Sequence, residues 1–422
     1  MMLRVKEWGG GQGKTTWLFL IPYYASAEGV LVYVPLGVIS LGGSVIDVSL
    51  AVTAYYLLLV PTTLLWGYIC DLGGGRKKLL YLASTISLLS SIALYFSTSI
   101  TSIIVIFGIF SQTAAIFAPT FNLLILETLP KKQWEKGYTT SILYMFIGQI
   151  IGLFAGVFWT AFFHIASYPL IPAIFSATAL LLISKISEPK ILLERRSILW
   201  SAQGLIHRLT HLPLIFLRRP HLTDFKSIVI MSRKTLTREI PLIFAASFLF
   251  TLSANLFFTS YTPYLKHTGL SDSEVFLLNI YIVAANAFTS QFLLKRFSGK
   301  VSHAVASKAL IARAIGMLLA AVFASLIRDT RIFYTTMLVY ALLGTAYATI
   351  NSNLNSLLFR ALPAGKQGGM LGVFSSLNGI AFLFGAFVSG YISYYFSYTT
   401  TFFLAATLVF LASIILEIHY KR

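Results

Sequence analysis

A single glutamate interrupts the first apolar stretch of this chain, and no other residue is better placed to do chemistry. Glu28 lies eleven residues into a run that begins at Trp17. At 1.5 Å per helical residue that is a depth of ~16 Å, near the middle of a ~30 Å hydrocarbon layer. An ionised carboxylate is costly there, so Glu28 must face a polar cavity, pair with a cation or hold a proton. A carboxyl poised between those states can trade a proton for a solute, or bind a cationic one. The plainer role is structural, with the carboxyl held by neighbouring hydroxyls or by Arg313. Arg313 is the other misplaced charge, a third to half way into the ninth apolar run. Its depth favours a guanidinium that snorkels out beside Lys308 and His303 over one that partners Glu28 or a substrate.

Two patterns near the start mislead. Gly10-Gly11-Gln12-Gly13-Lys14-Thr15-Thr16 looks like a phosphate loop, but Trp8 stands where the leading glycine belongs. Position 9, where a shorter ATPase variant wants lysine, is glycine. Such a loop must also follow a buried strand and open a helix in an α/β domain, which a short charged segment ahead of an apolar run does not supply. A flexible basic tail fits better. Ala25-Ser26-Ala27 has the small-residue spacing of a signal-peptidase site. The apolar run resumes at once through Leu41, so an uncleaved span is expected.

The elements that must position Glu28 follow from composition. With 57% hydrophobic and 11% charged residues and a mean hydropathy of +0.80, the chain has too little polar surface for a soluble globule. Apolar runs recur at about 17–40, 46–69, 79–97, 101–126, 140–163, 167–184, 240–263, 274–294, 304–326, 331–357, 369–392 and 396–418. Each is long enough to span hydrocarbon as a helix, and too long and unalternating for barrel strands. An even number of spans puts both termini on one side. Of the 32 Lys and Arg, only Lys266, Arg328 and Arg331 fall on the far side and Arg313 within a span. The positive-inside rule makes the termini cytoplasmic, and a plasma membrane is the expected host. The net charge of +18 then reflects topology and attraction to anionic lipid, not nucleic acid. Cys70 is the single cysteine and builds no disulfide framework.

Between spans 2 and 3 lies Gly67-Tyr68-Ile69-Cys70-Asp71-Leu72-Gly73-Gly74-Gly75-Arg76-Lys77-Lys78. The spacing G-x-x-x-D-x-x-G-x-R-K resembles the loop 2–3 signature of the major facilitator superfamily of secondary transporters, with Leu72 where that family prefers a cation. The chain also looks duplicated. Leu129-Pro130, a basic stretch and a helix with Gly148, Gly152 and Gly156 are echoed by Leu362-Pro363, Lys366 and a helix with Gly372, Gly379, Gly385 and Gly390. The resemblance extends over the whole chain. It implies an all-α integral membrane protein of twelve transmembrane helices in two pseudo-symmetric six-helix bundles. The expected division is a tail over 1–16, bundles over 17–184 and 240–418, a basic linker over 185–239 and a tail over 419–422. In the linker, Ile198, Ala202, Leu205, Leu209 and Leu212 recur at helical steps among Arg195, Arg196, His207 and Arg208, which suits a helix lying on the inner leaflet.

The resemblance carries roles residue by residue. Helices 1, 4, 7 and 10 line the family's cavity, and mid-depth polar or aromatic residues there are Tyr24, Gln112, Asn255, Thr259, Tyr340, Tyr347 and Asn351. In the family the loop aspartate latches the outward-facing state. Asp71 takes that role here, with Gly67 and Gly74 allowing close packing and turning, and Arg76 and Lys77 anchoring the loop. Gly148, Gly152 and Gly156 line one helix face and admit a close neighbour. In the family, helices 5 and 11 pack across the interface between halves. The expected activity is alternating-access transport of a small organic solute, proton-coupled through Glu28, with export of an amphipathic solute or drug-like cation favoured and uptake of a sugar or organic acid as the alternative. A monomer without metal or cofactor is expected. An ATP-driven pump would need a nucleotide domain of ~100 soluble residues, for which the chain has no room. A receptor or membrane-embedded enzyme would need an outer domain or a catalytic cluster, and the spans hold no metal-ligand spacing or Ser–His pairing.

Overall fold

In the computed structural model, the residues described are 17–71, 75–129, 133–186, 239–296, 303–361 and 367–420. The glycine-rich amino-terminal tail and the amphipathic linker segment lie outside them. So do Leu72–Gly74 and the side chain of Asp71.

The described residues form twelve long helices. The first six are α1 (Leu20–Ser40), α2 (Val45–Asp71), α3 (Arg76–Tyr95), α4 (Ile100–Thr128), α5 (Trp134–Phe162) and α6 (Leu170–Ile183). The second six are α7 (Glu239–His267), α8 (Asp272–Arg296), α9 (His303–Leu326), α10 (Ile332–Ala361), α11 (Gln367–Tyr395) and α12 (Tyr398–Tyr420). Eleven are long and apolar enough to cross a membrane; α1 is the exception. Glu28, three tyrosines and two prolines dilute its hydropathy. Lipid sees little of it, since thirteen of its 21 residues are buried, so it needs less apolar surface than its neighbours.

Local chemistry repeats between the halves. After α1, Leu41, Gly42 and Gly43 donate their amides to Gly37, Ile39 and Val38; after α7, Thr268, Gly269 and Leu270 donate to Tyr264, Lys266 and Leu265 in the same pattern. Gly42 and Gly269 sit at φ 81° and 90°, the left-handed region that ends helices and that glycine enters without penalty. Each turn leads into a capping box. Ser44 and Asp47 open α2, and Ser271 and Glu274 open α8, each side chain bonding the other's backbone amide. In the interiors, Ser26 of α1 bonds Ser87 of α3 and Ser176 of α6, and Ser253 of α7 bonds Met317 of α9 and the Ala405 carbonyl of α12. The chain is built as two six-helix bundles of one design.

The bundles meet through α2 against α11 and α5 against α8. Their contact concentrates at the end carrying Gly42 and Gly269. There Phe276 of α8 packs 4.8 Å from the Tyr168 ring, and a methyl on Gly390 of α11 would strike Ser49 of α2. At mid-height Tyr56 of α2 stacks on Phe382 of α11, 4.8 Å apart and 1° from parallel. Toward the end carrying Gly75 the arrangement changes. The amino-terminal bundle there has a hydrophobic cluster of its own, including Trp17, Leu20, Leu80, Phe117, Phe121 and Ile183, which no residue of the other bundle joins. Among the described residues the bundles are less closely joined toward the Gly75 end, where the space between them is the candidate crevice, and a pocket at the Gly42 end is lined by Ile39, Gly43 and Val45 with Pro263, Lys266 and Ser393. At the Gly42 end, Phe96, Phe162, Phe163, Tyr334, Tyr395 and Phe396 are exposed, an aromatic girdle at the level of a membrane interface.

Candidate functional site

Glu28 is half-buried on a stripe of α1 that also holds Ile21, Tyr24, Leu31 and Pro35, all at least partly accessible. Steps of three and four put these on one helix face. Its Oε2 accepts a hydrogen bond from Gln149 Nε2 of α5 at 2.9 Å. Among the described residues no ion pair involves it. Tyr55 and Tyr168, both buried, lie within electrostatic range, and the Tyr168 hydroxyl donates to the Gly152 carbonyl at 3.2 Å. One amide hydrogen-bonds the carboxyl, and among the described residues no cation fixes its charge.

The second bundle repeats this seat with other chemistry. One step along the chain carries Ala25 to Leu252 and Glu28 to Asn255; another carries Gln149 to Phe382 and Gly152 to Gly385. Gly152 lies against the Ala25 carbonyl and Gly385 against the Leu252 carbonyl. Where Gln149 serves Glu28, Asn255 Nδ2 donates to the Phe382 carbonyl at 2.8 Å. Asn255 is thus the counterpart of Glu28, in a place where a neutral amide suffices.

These contacts explain the helix-5 glycines and correct one expectation. Gly148 and Gly152 admit α1 of their own bundle, against the backbone of Ile21 and Ala25. Only Gly156 faces the other bundle, where a methyl would strike Phe276. Gly67 has open space where a Cβ would stand, so close packing there is not a feature of this conformation. Gly152→Ala is expected to cost more than ~3 kcal/mol, because the obstruction is backbone and cannot rotate away. Gly67→Ala should stabilise the helix by ~0.5–1 kcal/mol. Thermal unfolding of the detergent-solubilised variants checks both.

Arg313 does not snorkel. It is 1% exposed and turns inward from α9 between α7 and α10. Its guanidinium carbon lies 5.0 Å from the Phe250 ring, and 5.7 Å from each of the Phe258 and Tyr347 rings. One nitrogen donates to the Leu343 carbonyl at 3.2 Å. Aromatic faces attract the cation inward, and packed helices close the route to the surface. It makes no ion pair with Glu28.

The other candidates separate into two groups. Tyr347 and Asn351 are exposed on α10, and Tyr24 is half-buried with its ring edge on Tyr23 and Phe117. Thr259 and Tyr340 are packed into the interior, Tyr340 against Phe258 and Tyr261. Gln112 is tied to Trp66 of α2, whose Nε1 donates to its Oε1 at 3.1 Å. Sequence reasoning missed Gln149, Tyr56 and Asn378. Asn378 Oδ1 accepts from Ser247 and Thr251 at 3.0 and 3.3 Å, joining α11 to α7. A polar residue inside an apolar span was the available signal for Gln149 and Asn378.

At the mouth, Arg76 is buried in a fork with Glu127 at the end of α4, Nε to Oε2 at 3.2 Å and Nη2 to Oε1 at 2.8 Å. Its third nitrogen bonds the Cys70 carbonyl. Lys77 Nζ donates to the carbonyls of Ser184 and Ile186 at 2.6 and 2.8 Å, just past the end of α6, where a cation meets the negative end of the helix dipole. Arg76 and Lys77 thus tie α3 to α4, to the end of α2 and to the end of α6.

No curated protein matches the chain by sequence. Solved transporters match its fold. A peptide transporter of the POT family bound to alafosfalin aligns with a TM-score of 0.73 at 13% identity, over 97% of this chain and 94% of that one. The nucleoside transporter NupG aligns at 0.70 and 13%, over 97% and 99%. A D-xylose-proton symporter aligns at 0.70 and 13%, over 96% of both. The family model of the Major Facilitator Superfamily matches residues 16–377, most of the length, and the chain belongs to that superfamily of secondary transporters.

Proposed function

We propose that this transporter moves a small amphipathic organic solute across the plasma membrane by alternating access, with Glu28 coupling the movement to protons. The observation that carries the reading is the carboxyl on the accessible stripe of α1, hydrogen-bonded by Gln149 and paired with no cation among the described residues. Such a group can be emptied and refilled with a proton each time the crevice changes sides. The basic bias of the Gly75 end supports a cytoplasmic mouth, both termini cytoplasmic and contact with anionic lipid. In this reading the protein works as a monomer, the crevice being complete within one chain.

The sequence favours export, with solute and proton exchanging at Glu28. One observation favours the second reading, proton-linked uptake of an organic acid: Arg313 points into the protein and not to its surface. A thermal-shift screen for ligands, followed by flux of the hit into proteoliposomes under an imposed pH gradient of either sign, separates the two. Flux indifferent to both gradients overturns proton coupling.

Rocking of the bundles has its own test. In a Cys70→Ser background, Asn351→Cys on the open face of α10 is expected to react with a membrane-impermeant maleimide from the cytoplasmic side only, and Tyr340→Cys from neither. Asp71→Asn, which weakens the proposed outward-state latch, should increase the labelling of Asn351→Cys several-fold; unchanged labelling counts against the latch.

A further inference from the structure

Arg313 is the largest fully buried side chain among the described residues, and it is a cation. Its Nε has no hydrogen-bond partner, one other nitrogen reaches the Leu343 carbonyl, and no carboxylate among the described residues pairs with it. Burying an unpaired ion costs several kcal/mol even after relaxation. Three aromatic faces and one carbonyl offset some of that cost. A residue that only filled this space would do so at lower cost as a methionine or leucine. The Nε proton is left for an acceptor that no described residue supplies.

The candidate route to it leads from the crevice. Tyr340 and Tyr347 are seven residues apart and so share a face of α10. Tyr340 is buried against Tyr261 and Phe258 of α7, whereas Tyr347, two turns nearer the open end, is 39% exposed. Asn351 continues that face and is exposed too. The Tyr347 ring thus lies over the guanidinium and is itself accessible, 5.7 Å from Arg313.

We infer that Arg313 is the anchor for the carboxylate of the transported solute, whose apolar body packs among Phe250, Phe258 and Tyr347. A carboxylate is the group that matches the planar guanidinium fork with two parallel hydrogen bonds, and the surrounding rings suit a flat or aliphatic remainder. Glu28, in the other bundle, repels the same group, which orients the solute toward the α7–α10 side. The inference rests on the crevice being the transport site and names the substrate class for it.

The test uses full-length protein in nanodiscs and four acids, benzoate, phenylacetate, hippurate and indole-3-acetate, each paired with its neutral primary amide. At least one acid is expected to bind ten times or more tighter than its amide. Arg313→Gln should erase that preference, and Arg313→Lys, which keeps the charge and loses the fork, should reduce it to a few-fold. Should Arg313→Gln fail to fold, protection decides: the preferred acid slows maleimide labelling of Asn351→Cys, in the Cys70→Ser background, at least fivefold, and its amide does not. Equal affinity for every acid and amide, binding of none of the acids, or a preference that survives in folded Arg313→Gln overturns the inference. Carboxylate preference in a protein whose flux ignores pH gradients sinks proton coupling alone. Gradient-driven flux of a neutral or cationic solute with no acid bound sinks this inference alone.

Discussion

Glu28→Gln is expected to abolish gradient-driven accumulation while leaving solute binding and exchange within threefold of the parent. Glutamine keeps the size of the side chain and can still bond Gln149 through its carbonyl oxygen, so the α1–α5 contact survives. What it loses is the capacity to take up and release a proton. The expected difference is therefore between two assays of one variant. In proteoliposomes under an imposed pH gradient the concentration ratio falls to one, while counterflow at zero gradient persists. Undiminished accumulation removes Glu28 from the coupling step. Loss of both activities together assigns it to binding the solute instead. Asn255→Asp asks the converse question, since it places a carboxyl in the matching seat of the second bundle. That carboxyl faces the Phe382 carbonyl, which cannot donate to it, so the variant should lose stability by ~1–3 kcal/mol.

Arg76→Ala is expected to lower stability by about 3 kcal/mol or more, seen as a drop in the thermal midpoint of the detergent-solubilised protein. The fork to Glu127 is buried, with side-chain exposures of 10% and 15%, and cutting one partner away leaves a desolvated carboxylate and takes a donor from the Cys70 carbonyl. Arg76→Lys keeps the charge without the fork and should recover about half of the loss. The double variant Arg76→Met with Glu127→Met should come close to the parent, because a buried pair exchanged whole for apolar groups costs little. If Arg76→Ala matched the parent, the loop cations would be topological markers only. If all three variants were equally poor, the fault would lie in packing and not in charge.

Most of the fold could be read from apolar runs, and the reasons are physical. Eleven helices carry an apolar surface to lipid, and their ends moved by only a few residues between expectation and structure. The first span was placed correctly although its hydropathy is the weakest, because turn residues and the next run bound it. The site was less legible. Depth along a helix can be counted from sequence, but rotation about the helix axis cannot when most faces are apolar. Arg313 had the right depth and the wrong direction for that reason. Gln149 gained meaning only once Gly148 and Gly152 brought α5 against the backbone of α1. Glu127 lies far in sequence from Arg76, and only the packing of α3 on α4 joins them. Thr259, Tyr340 and Gln112 show the opposite limit. Mid-depth polarity marks them equally, yet two are interior and the third is held by Trp66.

The unequal seats at Glu28 and Asn255 set a thermodynamic ceiling. Duplication gave the protein two equivalent places for a titrating group and only one is filled, so a cycle coupled through Glu28 alone carries a single proton. One charge driven through 100 mV delivers about 2.3 kcal/mol, and each ~1.4 kcal/mol corresponds to a tenfold ratio. Where Glu28 couples the cycle, an uncharged cargo could be concentrated only about fiftyfold at that driving force, and a carboxylate, whose charge cancels the proton's, by the pH component alone.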